Sequence, residues 1–131
     1  MKILIVEDDY VSRTILRRLL LPYGETHIAV DGEEGITAFA SAQNTGQPFD
    51  LVCLDIMLPR KDGQSVLREI RALESARPTD TLKPARIIMT TALSDRSNVV
   101  EAIKHCDGYL VKPYKKEKLI ECLIGLGLAT G

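Results

Sequence analysis

Short apolar runs alternate with stretches of helical periodicity along the whole chain. Ile3 to Val6 is continuously apolar, the pattern of a strand buried on both faces, and it ends on Glu7-Asp8-Asp9. From Tyr10 to Tyr23 the apolar residues Val11, Ile15, Leu16, Leu19, Leu20 and Tyr23 recur at helical spacing, with Arg13, Arg17 and Arg18 mostly on the other face; Pro22 and Gly24 end that helix. Thr26 to Val30 alternates weakly as a second strand, and Asp31-Gly32 opens a second helix through Ile36, Phe39 and Ala40. A loop from Asn44 to Pro48 leads to a third strand, Asp50 to Leu54. Val66, Leu67, Ile70 and Leu73 then give a third amphipathic helix. The polar, proline-bounded connection from Arg77 to Pro84 is longer than most in compact domains and is the expected place for mobility. Arg86 to Thr90 predicts a fourth strand followed by Thr91-Ala92, and Ser94-Asp95 caps a fourth helix carrying Val99, Val100 and Ile103. A fifth strand, Tyr109 to Val111, ends at Lys112-Pro113. The last helix holds Leu119, Ile120, Leu123 and Ile124, with a frayed tail expected over residues 127–131.

Such alternation predicts a parallel sheet with helices on both faces, joined by right-handed crossovers. In that architecture the functional crevice lies beyond the carboxyl ends of the strands. Glu7-Asp8-Asp9, Asp55, Thr91 and Lys112 all sit at such ends, so one edge of the sheet gathers the polar residues of interest.

Composition narrows the function classes. The 131 residues suffice for one core but not for a second folded domain, so residues 1–131 are read as a single domain. Seventeen Lys and Arg against eighteen Asp and Glu give a net charge of -1, which provides no global attraction to nucleic acid or to an anionic membrane. The apolar run after Met1-Lys2 stops at Glu7, too soon for a secretory signal, and no later stretch is long enough to span a bilayer; a cytoplasmic location is expected. Cys53, Cys106 and Cys122 are odd in number and lack metal or redox spacing, and are read as buried thiols in a reducing compartment.

The stretch from Asp50 to Gly63 delivers a carboxylate, Asp55, to the end of a buried strand, and Pro59 and Gly63 shape the loop that follows. Asp55 alone is equally readable as the start of a turn. The triple acid alone is equally readable as a helix N-terminus complementing the dipole. Together they point to a hard divalent ion, because neighbouring carboxylates repel unless a cation intervenes, and Mg²⁺ takes one or two protein carboxylates along with waters and phosphate oxygens. A lysine and a threonine at the same edge supply a point charge and a hydroxyl for a phosphoryl group.

With these residues in view, the chain resembles the receiver domain of two-component response regulators, the CheY-like family, from Lys2 to about Leu126. The matching stretches are Ile5-Val6-Glu7-Asp8, Asp55-Ile56-Met57-Leu58-Pro59 with Asp62-Gly63, Thr91-Ala92, and Tyr109-Leu110-Val111-Lys112-Pro113-Tyr114. The resemblance implies an α/β fold: a doubly wound (βα)5, flavodoxin-like three-layer sandwich whose parallel five-stranded sheet has order 2-1-3-4-5. It implies that Asp55 is the phospho-acceptor, charged by a sensor histidine kinase or a phosphotransfer protein. Asp8, Asp55 and the backbone carbonyl of Met57 would bind Mg²⁺ (or Mn²⁺), with Glu7 acting through a water and Asp9 left as a helix-start residue. Lys112 and Thr91 would hold phosphoryl oxygens, and Ala92 leaves room for the phosphate. Thr91 and Tyr109 would form the switch that alters the face made by the fourth helix, the fifth strand and the last helix. A downstream protein target, or a second copy in a phosphorylation-dependent homodimer, would read that face. Such a protein is a regulator that catalyses only its own phosphorylation and dephosphorylation.

The chain also departs from the family. Between Thr91 and Lys112 it is one residue shorter, with His105-Cys106 where a Gly-Ala pair is usual, which predicts a shortened or distorted fourth helix. Segments 41–49 and 75–84 are longer than typical, as in receivers within hybrid kinases. A receiver segment of a hybrid kinase or multidomain regulator, or a scaffold receiver that no longer switches, are therefore the alternatives. Met57 and Leu93 flank the expected path of the hydrolytic water and are apolar, which predicts slow self-dephosphorylation. Lys115, Lys116 and Lys118 extend the charge of Lys112 and are read mainly as a solvated helix face. His27 and His105 are assigned no chemistry. A haloacid dehalogenase-type hydrolase would need an acid where Met57 stands, and a flavodoxin-like nucleotide binder would be repelled by Glu7-Asp8-Asp9. Only one helix follows Lys112, so output is expected from a partner or from a missing remainder.

Overall fold

The computed structural model describes residues 1–77, 83–92 and 106–130. Each apolar run forms a strand: β1 (Lys2–Val6), β2 (Glu25–Ala29), β3 (Leu51–Asp55), β4 (Arg86–Ala92) and β5 (Gly108–Lys112). They pair in parallel in the order β2-β1-β3-β4-β5, the order that the family resemblance implies. β1 and β3 lie in the interior of the sheet. Ile3 to Val6 and Leu51 to Leu54 are accordingly at most 1% exposed, which explains why these runs are continuously apolar rather than alternating.

Alternate residues along each strand face opposite ways and build two cores. Leu4, Val6, Val52, Leu54, Ile87 and Met89 face α2 (Gly32–Asn44) and α3 (Gly63–Ser75), meeting Phe39, Ala42, Val66, Leu67 and Ile70. Ile3, Ile5, Leu51, Cys53, Ile88 and Leu110 face α1 (Tyr10–Leu20) and the C-terminal helix (Lys116–Gly125), meeting Leu16, Leu20, Leu119 and Leu123. The result is a three-layer sandwich. α1, α2 and α3 each begin on an aspartate that accepts from a first-turn amide: Asp9 from Ser12 at 2.8 Å, Asp31 from Glu34 at 2.8 Å, Asp62 from Ser65 at 2.9 Å.

Several boundaries differ from the sequence expectation. α1 stops at Leu20 and tightens into a 3-10 turn, Leu21–Tyr23, that contains Pro22. Its buried stripe is narrow: Leu16 and Leu20 are covered, while Val11 and Ile15 are 61% and 41% exposed. α2 runs on to Asn44, so the expected long segment 41–49 begins as helix. β2 starts and ends one residue early, and β4 continues to Ala92, taking both Thr90 and Thr91 into the strand. The tail, expected to fray from residue 127, turns back: Gly127 donates to the Ile124 carbonyl at 3.0 Å and Leu128 to that of Leu123 at 2.9 Å, with Leu128 and Ala129 packed on the second core. The expected mobility at 78–82 and the expected fourth helix, with Leu93 and His105, lie outside the described residues.

Candidate functional site

The carboxyl ends of β1, β3, β4 and β5 meet at one edge of the sheet. Glu7 follows β1 and is pinned by its amide, which donates to the Ala29 carbonyl at 3.0 Å. Asp55 closes β3, and the next amide, that of Ile56, still donates to the Thr90 carbonyl at 3.0 Å, so the sheet pairing holds the acid from both sides. Both acids are buried, Glu7 at 1% and Asp55 at 4% exposure. Buried carboxylates require partners. Lys112, at the end of β5, provides one: its Nζ lies 2.6 Å from Glu7 Oε1 and 3.1 Å from Asp55 Oδ2. Asp55 Oδ1 also accepts from the Met57 amide at 3.1 Å.

Asp8 sits beside this pair, exposed, with its backbone carbonyl held by Arg13 Nη1 at 2.9 Å. Carboxylate oxygens of Glu7, Asp8 and Asp55 all lie within 4.8 Å of one another. Burial, then the adjoining Asp55 carboxyl, push the Glu7 carboxyl above the ordinary carboxylate range despite Lys112. Loss of hydration, then the charge of Glu7, push Asp8 up as well. Burial alone would lower the Lys112 ammonium, but its hydrogen bond to Glu7 and the charge of Asp55 hold it above its usual value. Three carboxylates against one ammonium leave two negative charges when all are ionised, which one divalent cation offsets. The donor set is all oxygen, as Mg²⁺ or Mn²⁺ requires, and Asp8 opens it to solvent, so these residues fit such an ion. Asp9 is otherwise engaged, as the cap of α1.

The loop after β3 is tied down tightly. Asp62 caps α3, and the Gly63 amide donates to the Ile56 carbonyl at 2.9 Å. A Cβ on Gly63 would lie 2.2 Å from the Asp55 carbonyl oxygen, so only glycine permits this approach of α3 to the acid. The exposed Arg60 adopts φ 67°, an uncommon left-handed conformation for a non-glycine residue.

The remaining sequence candidates are placed as follows. Thr91 is buried at the end of β4, and its hydroxyl donates to the Ala92 carbonyl at 3.0 Å rather than to Asp55. Tyr109 on β5 is 47% exposed and Met57 54%. Cys53 is buried in the core as expected, which pushes its thiol up to about 12, whereas Cys106 and Cys122 are only partly buried, against the expectation of buried thiols, because they sit at the margins of the two cores; loss of hydration still raises both. His27 pairs with Glu25 at 2.8 Å and meets the edge of Phe49. Sequence reasoning gave no role to Tyr114, which the structure brings into the site: its hydroxyl donates to Glu7 Oε1 at 3.2 Å and lies beside the Thr90 side chain. Its signal in the sequence is its position two residues beyond Lys112, in the short segment between β5 and the C-terminal helix.

Comparison with known proteins agrees with this geometry. The model of the response regulator receiver domain family matches residues 3–124. The chain is 34% identical over 122 residues to the chemotaxis protein CheY of Pseudomonas aeruginosa, covering 92% of this chain and 91% of that one. It is 31% identical over 121 residues to the osmosensing histidine protein kinase SLN1 of Saccharomyces cerevisiae and 38% over 122 residues to the regulatory protein VanRB of Enterococcus faecalis. It covers 90% and 92% of its own length in those matches but spans only 9% and 49% of those proteins. Among solved structures, the receiver domain of the sensor histidine kinase PA1611 from Pseudomonas aeruginosa superposes with a TM-score of 0.76 at 29% identity, over 96% of this chain and 97% of that one. That structure has a magnesium ion coordinated in its active site cleft. Among the described residues, no helix is long and apolar enough to cross a membrane. The order of the sheet, the acidic edge and these matches agree, and the chain belongs to the response regulator receiver domain family of two-component signalling.

Proposed function

We propose that this chain is a phosphorylation-dependent switch with Asp55 as its phospho-acceptor. The observation that carries the reading is the Lys112 ammonium bridging the two buried acids, 2.6 Å from Glu7 and 3.1 Å from Asp55, beside Asp8. An Asp55 carboxylate oxygen forms the new bond to phosphorus as the phosphorus–nitrogen bond of a partner's phosphohistidine breaks. The bonding pair stays on the imidazole nitrogen, which then takes a proton from solvent. Asp8, Asp55 and the Met57 carbonyl would hold Mg²⁺ or Mn²⁺, with Glu7 one water away, and the bound ion supplies neutralisation of phosphoryl charge. Lys112 swings from Glu7 to a phosphoryl oxygen. The Thr91 hydroxyl, which now faces the Ala92 carbonyl, turns to a second such oxygen. Phosphorylation adds about 1.5–2 negative charges at pH 7, enough to reposition both donors.

Tyr109, half-exposed on β5, then turns inward, and the face around β5 and the C-terminal helix changes for a downstream protein target or a second copy of the chain. The phosphoryl donor is a sensor histidine kinase or a phosphotransfer protein. Residues 1–131 act as a single receiver unit, either alone or within a longer regulator or hybrid kinase, and the chain is a regulator that does no chemistry beyond its own phosphorylation cycle. The test is incubation with acetyl phosphate and Mg²⁺, wild type beside Asp55→Asn, reading intact mass and two-dimensional NMR shifts. Wild type gains one phosphoryl group with shifts around β4 and β5, and the variant does not. Equal labelling of both would refute Asp55 as the acceptor.

A further inference from the structure

We propose that Tyr114 is a positioning residue for Glu7, keeping that carboxylate in place for the metal when Lys112 leaves it; the inference rests on the receiver reading above. Glu7 Oε1 receives two donors, the Lys112 ammonium at 2.6 Å and the Tyr114 hydroxyl at 3.2 Å, while Oε2 accepts from the Asp9 amide at 3.3 Å. The ammonium that now bridges Glu7 and Asp55 is drawn, on that reading, toward a phosphoryl oxygen on Asp55 and away from Glu7. Once it moves, a side chain that is 99% buried depends on what remains. The phenol is suited to remain. Its ring packs against the core of Ile3, Ile5, Leu16 and Leu119, so the hydroxyl is delivered from a fixed wall rather than from a flexible stem. It is also uncharged: burial keeps the phenol protonated, so it orients Glu7 without cancelling the negative charge that attracts a cation, as a second lysine would.

The experiment is a Mg²⁺ titration followed by backbone amide shifts, in a Lys112→Ala background that reproduces the departure of the ammonium, comparing that protein with its Tyr114→Phe, Glu7→Gln and doubly substituted derivatives. Phenylalanine keeps the ring and its packing. Tyr114→Phe weakens Mg²⁺ binding about tenfold, the weight of one hydrogen bond to a charged group. In the Glu7→Gln background the same substitution has little further effect, because the group it positions is gone. A change in thermal stability with unaltered Mg²⁺ affinity, or an equal loss of affinity in both backgrounds, would overturn the proposal. A readout in the unsubstituted side chain adds a second check: the Tyr114 ¹³Cζ resonance shifts on Glu7→Gln and stays near its wild-type position on Lys112→Ala, and a resonance indifferent to Glu7→Gln would also overturn it. Asp8→Asn separates this proposal from the reading beneath it. If Asp8→Asn binds Mg²⁺ like wild type, the metal site itself is misassigned; if it abolishes binding while Tyr114→Phe is neutral, only the role of Tyr114 falls.

Discussion

Gly63→Ala tests whether the loop after β3 sets the position of Asp55. The added methyl would meet the Asp55 carbonyl oxygen at 2.2 Å, the Ile56 Cα at 2.8 Å and the Asp55 carbonyl carbon at 3.0 Å. All three are backbone atoms and cannot rotate away. An ordinary close carbon–oxygen approach is about 3.3 Å, so roughly 1 Å of relief is needed at that contact. Overpacking of this kind costs about 1–3 kcal/mol, and the backbone obstacle favours the upper part of that range. Against it stands a gain of about 0.5–1 kcal/mol from replacing glycine in a helix. The net loss is about 2 kcal/mol, which for a domain of this length lowers Tm by about 7 °C. If Asp55 is the acceptor as proposed, a displacement of about 1 Å there is also enough to slow phosphotransfer by about 100-fold. The assays are thermal unfolding and the rate of labelling by acetyl phosphate. Gly125→Ala is the control, since its methyl would meet nothing within 4 Å. A Gly63→Ala protein that melts with wild type would refute the steric reasoning. One that melts early but labels at the wild-type rate would refute the link from this contact to Asp55.

Three further outcomes follow from the structure. Glu74, nearly buried at the end of α3, accepts from the Ala85 amide at 2.6 Å and faces Arg71 at 2.7 Å and Arg77 at 3.4 Å; Glu74→Ala strands the Ala85 amide and leaves Arg71 with Asp107 and the Ala85 carbonyl, at a cost of about 2–3 kcal/mol, and an unfolding free energy from urea within about 1 kcal/mol of wild type would contradict it. Glu7 and Asp8 bind protons more tightly folded than unfolded, so their contribution to metal-free stability is full below the ordinary carboxylate values of 4.5 and 3.8 and is lost as pH rises through the raised folded values. Mg²⁺ competes with those protons, so its affinity climbs across the same window in calorimetric titrations, and equal affinity at both ends would count against the site. Met57, with a side chain that donates no hydrogen bond, cannot orient a hydrolytic water; phosphorylated protein keeps its label for minutes or longer, and a lifetime of seconds would refute this.

The hydrophobic pattern made the layers legible. Runs such as Ile3 to Val6 and Leu51 to Leu54 announce strands covered on both faces, and the acids or lysine at their tips mark the edge where the chain leaves the core. It misled at α1, where Val11 and Ile15 share a helical period with Leu16 and Leu20 yet stay exposed, because periodicity shows that residues share a face but not how wide a stripe the neighbouring layer covers. The strand order came from the motifs' resemblance to a family, since alternation of strand and helix is the same for any order of five parallel strands.

The sequence by itself determined that Glu7, Asp8, Asp55, Thr91 and Lys112 lie at strand ends, a local property encoded by where each apolar run stops. Tertiary structure alone decided which of them touch. Lys112 reaches Asp55 across 57 positions of chain, and Tyr114 reaches Glu7 across 107. Those contacts depend on which strands are neighbours, on their register, and on how the C-terminal segment packs against the second core. No local period carries that information. The donation of the Thr91 hydroxyl to Ala92 and the approach of Gly63 to Asp55 belong to the same class: packing distances of a few ångströms, set by the assembled layers.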